Sequence, residues 1–205
     1  MCGRYALFRW TPALAATPGF PAKQEPGWNI APNSQVLMLR QVEGARHAAL
    51  ARWGLTPPWL TDLSKTPAHA RAESIAEQPM FRDALRLRRA LLPANGFYEW
   101  RGNARKRPYW ITAEESPLYF AAVWEAFPVE GHTYLSVAVV TQPANGMRRP
   151  LILNAAGQEQ WLAADTPLPV LQTLLCQPNP VLRERALAHF INDPKANGPE
   201  CLTPA

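Results

Sequence analysis

Prolines set the terms on which this chain can fold. There are 22 of them in 205 residues, about twice the usual frequency. They are dispersed: Pro32, Pro57, Pro58, Pro93, Pro108 and Pro150 all stand among apolar runs. Proline fixes φ and removes a backbone donor, so prolines spaced this way read as turns joining short strands. Residues 36–40 and 47–53 form the arms of an expected hairpin with Glu43-Gly44 at its turn. Residues 91–92 and 97–101, around the turn 93–96, form a second. Further strands are expected at 109–112, 119–123 and 134–141, and 151–153 is a short apolar run. A short helix is expected over 79–89, with Pro79 in its first turn and Phe81, Ala84 and Leu85 on one face. From residue 158 onward the pattern turns helical, at 160–163, 169–176 and 181–190, before a polar tail that begins at Asn192-Asp193-Pro194. No repeat or linker interrupts the chain. The expectation is a single α+β domain over residues 1–205, with a mostly antiparallel, β-barrel-like core and peripheral helices.

The charge balance is basic, with a net charge of +5 and a pI near 9.4. It favours a polyanionic partner, although a solubilising surface would give the same number. The three cysteines are Cys2, Cys176 and Cys201. The odd count argues against a disulfide framework, and no CxxC or Cys/His grouping suggests zinc. No metal and no cofactor is therefore expected. The first residues contain no long apolar stretch, and no run approaches the ~18 apolar residues of a membrane span. A cytoplasmic protein with reduced thiols is the expectation.

Cys2 carries the most distinctive chemistry. Removal of Met1 would leave an α-amine on the carbon next to the thiol-bearing one. Such an amine titrates near 8 and a thiol near 8.5, so each is partly nucleophilic at neutral pH. With an aldehyde the amine forms an imine, and the adjacent thiol closes a five-membered thiazolidine at high effective concentration. An abasic deoxyribose opens to such an aldehyde. By position alone, a cysteine at residue 2 can equally be accidental.

Other segments bear on that choice. In chain order they are Met-Cys-Gly-Arg-Tyr at 1–5, Trp-Asn-Ile-Ala-Pro at 28–32, Arg-Trp-Gly-Leu at 52–55, Ala-Arg-Ala-Glu at 70–73, Asn-Gly-Phe-Tyr-Glu-Trp at 95–100, Ala-Val-Trp-Glu at 122–125 and Arg-Arg-Pro-Leu at 148–151. Together they resemble the SOS response-associated peptidase family, the abasic-site processing proteins, over residues 1–194. The resemblance implies a compact α+β domain around a barrel-like core. It implies a covalent link from Cys2 to abasic sites in single-stranded DNA, with the protein expected to be a monomer. Carried over by position, it makes Glu99 an acid/base carboxylate and Arg71 and Arg148 DNA contacts. Arg4 lies close to Cys2 in the opening motif, and Asn29 is placed with the DNA-binding residues.

The residues can also be read on their own terms. Glu99 shares a strand face with Phe97 and Arg101. Burial among aromatic residues would raise its pKa and suit proton transfer, whereas pairing with Arg101 would make it a surface ion pair. If Arg4, Arg71 and Arg148 converge, they form a phosphate clamp with salt-dependent binding. The arginines at 82, 86, 88 and 89 form either a solvated helix face or a further DNA contact. Trp53 and Trp59 flank two prolines and could stack on bases, although Trp53 fits a core position equally well.

Two positions depart from the family pattern. His69 stands where the family has an active-site Asn. Gly146 stands where it has a His credited with proton transfer at the sugar. Either His69 supplies the missing imidazole, or cross-linking proceeds more slowly. The leading reading is a covalent shield for abasic sites. The alternatives are an abasic-site lyase, a cysteine peptidase limited to removal of Met1, and a non-catalytic single-strand binder.

Overall fold

The computed structural model describes residues 3–102, 106–114, 116–144 and 146–205. Cys2 lies outside the described residues. The strands are β1 (Tyr5–Leu7), β2 (Gly27–Ile30), β3 (Gln35–Val42), β4 (Ala45–Trp53), β5 (His69–Arg71), β6 (Arg89–Ala94), β7 (Gly96–Arg101), β8 (Arg107–Thr112), β9 (Leu118–Val129), β10 (His132–Ala144), β11 (Met147–Pro150) and β12 (Arg183–Ala186). The helices are α1 (Pro12–Ala15), α2 (Arg82–Leu87), α3 (Ala155–Leu162) and α4 (Leu168–Leu175).

A closed ring of five strands forms the centre. Strand β10 pairs with β9, β9 with β6, β6 with β3 and β3 with β4, all antiparallel. Strand β4 then meets β10 in parallel at Arg52 and Trp53, which closes the barrel. The far end of β10 carries β5 in parallel and β11 antiparallel. Two tight turns set the long registers. At Glu43-Gly44 and Glu130-Gly131 both residues have positive φ, as expected of two-residue turns whose twist matches the flanking strands.

A second sheet, in the order β12-β8-β7-β1-β2, lies against the barrel. Strand alternation divides its side chains. Tyr5, Leu7, Phe97 and Ile111 join the barrel core. Ala6, Tyr98 and Trp110 face the other way and are covered by Leu187, Ile191 and Cys201. The chain beyond residue 187 is therefore a packed cover and not a loose polar tail. Trp100 Nε1–H donates to Asn192 Oδ1 at 2.7 Å, and Leu187 bridges to Pro204.

Several expected elements differ. Segments β6 and β7 are no hairpin: β6 pairs with β3 and β9, and β7 with β1 and β8. The chain turns between sheets at Asn95. Its Oδ1 accepts from the N–H groups of Phe8 and Arg9, and its Nδ2 donates to Arg9 O and Ser116 Oγ. Gly96 follows because a Cβ there would come within 2.5 Å of the Ile111 carbonyl. The expected helix over 181–190 contains strand β12, which pairs in register with β8 and sends Glu184 to Arg101 of β7. The expected helix at 160–163 begins earlier, at Ala155, with Asn154 as its N-cap. The helix expected over 79–89 is the shorter α2, and its apolar face is as read. Arg89 is buried: it donates to carbonyls of Leu85, Arg86, Trp161 and Ala163 and closes the ends of α2 and α3. Among the described residues no helix is long and apolar enough to cross a membrane.

Asn95→Ala removes the side chain that satisfies two backbone N–H groups at the corner. Unsatisfied buried donors cost about 1–3 kcal/mol each. The expected loss of stability is about 2–3 kcal/mol, read as a melting midpoint lower by roughly 4–12 °C. A change within about 1 °C would show that the corner does not depend on this amide.

Candidate functional site

Glu99 lies on the barrel-facing side of β7, two residues beyond Phe97, and is 1% exposed. A carboxylate so deep requires partners, and two arginines supply them. Arg149, on β11, donates from Nε to Glu99 Oε1 at 2.7 Å and from Nη2 to Oε2 at 3.1 Å. Arg101, on β7 itself, donates to Oε2 from Nε and Nη2. Both arginines also reach Glu184 on β12: Arg149 Nη2 at 2.6 Å and Arg101 Nη1 at 2.7 Å. The Arg101 guanidinium lies over the ring of Tyr109, the cross-strand partner of Glu99. Two positive and two negative groups thus close a compact cluster between the sheets.

Electrostatics in this cluster reverse the expectation of a raised Glu99 pKa. Burial does push it upward, but the hydrogen bonds and charges of Arg149 and Arg101 outweigh burial, and the carboxyl sits below its ordinary value. Glu184 is brought to about 2, chiefly by its hydrogen bond with Arg101. Glu99 pairs with Arg101 as one reading of the sequence allowed, yet the pair is buried and shared with Arg149. Sequence reasoning missed Arg149 and Glu184. Arg149 gave a signal, standing beside Arg148 in a motif already singled out. Glu184 was hidden by the helix assigned to its segment.

Beside this cluster, Arg71 and Arg148 meet around Thr141. Arg71 is Thr141's partner in the β5–β10 register, and Arg148 donates to the Thr141 hydroxyl and carbonyl. Arg148 also grips Glu73 with both terminal nitrogens, at 2.8 and 2.6 Å. That pairing holds Glu73 at about 2. Arg148 is thus committed within the protein, whereas Arg71 is exposed. An open depression of about 400 Å³ adjoins Arg71, lined by Lys65, Pro67, His69, Arg71, Gln78, Met80 and Phe81. The His69 ring stands edge-on to Trp53, 5.5 Å between centroids.

Arg4 does not join Arg71 and Arg148 in one clamp. Its Nη1 donates to Ile191 O and to Asn29 Oδ1, and its guanidinium lies 5.1 Å from the centre of the Trp100 ring. Asn29 donates to the carbonyls of Asp193 and Ala196, so its amide anchors the C-terminal cover. Trp53 is a core residue, 1% exposed, with its indole N–H on Ala68 O. It cannot stack on a base. Trp59 is 58% exposed and can. Gly146 is exposed with a left-handed φ of 73°. Among the described residues no group of three or more His, Cys, Asp or Glu is placed to hold a metal ion.

The family model described as SOS response associated peptidase (SRAP) matches residues 1–193. Abasic site processing protein YoqW of Bacillus subtilis is 30% identical, over 98% of this chain and 99% of its own. Abasic site processing protein YedK of Escherichia coli is 30% identical, over 79% of each chain. A crystal structure of a protein from Bacteroides thetaiotaomicron superposes with a TM-score of 0.87 over the full length of both chains, at 20% identity, and thereby shares the fold.

Acid should loosen this site first. A carboxylate whose pKa folding lowers contributes stability above its unfolded value, near 4.5, and loses it as pH falls toward its folded value. With Glu73 and Glu184 at about 2, the melting midpoint is expected to fall steadily between about pH 5 and pH 2. The fall should be shallower in Glu184→Gln. Identical slopes in the two proteins would show that Glu184 makes no such contribution.

Proposed function

The chain belongs to the SOS response associated peptidase family, and from that premise we propose that it processes abasic sites by covalent capture in single-stranded DNA. In this reading Met1 is removed and the Cys2 α-amine attacks the C1′ aldehyde of the opened sugar. Water leaves and an imine forms. The Cys2 thiol then adds across the C=N bond, with sulfur bonding carbon and the proton going to nitrogen. The product is a thiazolidine that blocks strand cleavage, and the overall reaction releases one water. Glu99 serves the proton transfers, and His69 supplies the imidazole that Gly146 lacks.

The observation that carries this reading is the register between β1 and β7. Tyr5 pairs with Phe97, and the Tyr98 N–H donates to Arg4 O at 3.0 Å. Continued two residues beyond Tyr5 and Phe97, that register would bring Gly3 opposite Glu99. A Cβ at Gly3 would meet no described atom within 4 Å, so Gly3 is not packed against the described residues on that side. Cys2 is the next residue, and adjacent Cα atoms are about 3.8 Å apart. The basic lining of Lys65, His69 and Arg71 suits phosphates, and exposed Trp59 suits a base beside the lesion. Single-strand binding by such contacts weakens with salt.

The test is an oligonucleotide carrying one abasic site, incubated with the protein and run on a denaturing gel. A shifted band is expected that is lost in Cys2→Ala and forms more slowly as salt rises. A band that persists in Cys2→Ala would overturn the reading. Strand cleavage without a lasting adduct would replace it with a lyase.

A further inference from the structure

We infer that Arg149, itself steadied by Glu184, is a positioning residue that keeps Glu99 ionised and fixed in one orientation, leaving it a proton acceptor through Oε1. The inference rests on the proposed function, in which Glu99 serves the reaction of Cys2, and it assigns a role to residues outside that scheme.

The hydrogen-bond geometry specifies the oxygen. A carboxylate offers about four acceptor positions, two on each oxygen. Oε2 of Glu99 receives three N–H groups, one from Arg149 and two from Arg101. Among the described residues Oε1 receives one, from Arg149 Nε. Oε1 is therefore the oxygen with room for an incoming proton. The orientation follows from the planar guanidinium. Its Nε and Nη2 grip the two carboxylate oxygens separately and so fix the plane of the group. Lysine could supply the charge but not that plane.

The charge balance explains why the carboxylate remains ionised so deep in the protein. A buried carboxylate with one weak partner takes up a proton. Here the groups facing Glu99 are Arg149 from β11, Arg101 from its own strand and Tyr109 from β8. Glu184 from β12 sits behind the two arginines. Arg149's side chain is 9% exposed against 34% for Glu184, so the exposed carboxylate anchors the buried guanidinium from its solvent side. Because Glu99 arrives without a proton, it accepts one from the Cys2 ammonium as the free amine forms. The proton so gained is then available to the hydroxyl that leaves as water.

Two readouts test this in the full-length protein. The first is a carbon-13 NMR titration of the Glu99 carboxyl, identified by its absence in Glu99→Gln. In the wild type it should titrate below ordinary glutamate. In Arg149→Met it should rise by about one pH unit or more, the scale set by one lost opposite charge. In Arg149→Lys it should stay low. The second is the adduct rate at neutral pH. It should drop about tenfold or more in both variants, consistent with a base that contributes 10²–10⁴-fold when well placed. If Arg149→Met fails to fold, the wild-type titration and Arg149→Lys carry the test. Titration of wild-type Glu99 at or above the ordinary value would overturn the inference. So would a wild-type adduct rate in Arg149→Lys. A wild-type protein that forms no adduct would overturn the proposed function instead.

Discussion

The charged cluster of Glu99, Arg149, Arg101 and Glu184 is the constraint on which the site depends. Glu99 and Arg101 belong to β7 and Glu184 to β12, both in the outer sheet, whereas Arg149 belongs to β11 on the barrel side. Arg149 therefore ties one sheet to the other. Ionic groups this deep are tolerated only when charges balance and donors match acceptors, and removing a single partner commonly costs about 3–5 kcal/mol. The cluster meets both conditions, with two guanidiniums bridging two carboxylates. It contributes little to stability beyond what apolar residues of similar volume would give. It fixes the Glu99 carboxylate between two arginines on β7, the strand next to β1.

The rest of the fold delivers that strand. Short β1 lies between β2 and β7 and is buried on both faces, with Tyr5 and Leu7 in the barrel core and Ala6 under the C-terminal cover. Arg4 extends the anchorage through Ile191 O, Asn29 and Trp100. Arg4, Asn29 and Arg148, expected among the DNA-binding residues, do structural work here. Arg4 and Asn29 fasten the cover, and Arg148 is clasped by Glu73. Arg71, Lys65 and Trp59 remain presented to solvent.

Much of this was legible in the sequence. The β3–β4 hairpin followed from Glu43-Gly44 between two strand-like arms, and α2 from the spacing of Phe81, Ala84 and Leu85. The motifs around Cys2 and Glu99 identified the family because they are specific in type and order. What was not legible depends on tertiary pairing. A turn-like Pro93-Ala94-Asn95-Gly96 reads the same whether it closes a hairpin or passes the chain between sheets, and only the Asn95 hydrogen bonds distinguish the two. The segment around Glu184 has residues compatible with a helix, and its strand pairing with β8 overrides that preference. The sign of the Glu99 shift was misjudged for a related reason: burial was foreseeable from Phe97 and Trp100, but the arrival of Arg149 from fifty residues away was not.

The most direct measurement of the central claim is the mass of the purified adduct, with each cysteine mapped by alkylation. The account predicts the chain without Met1 plus the oligonucleotide minus one water. Cys176 should be alkylated and Cys2 protected, because its sulfur is closed into the ring. A reactive chain that retains Met1, or an adduct in which Cys2 still takes the alkylating agent, would contradict it.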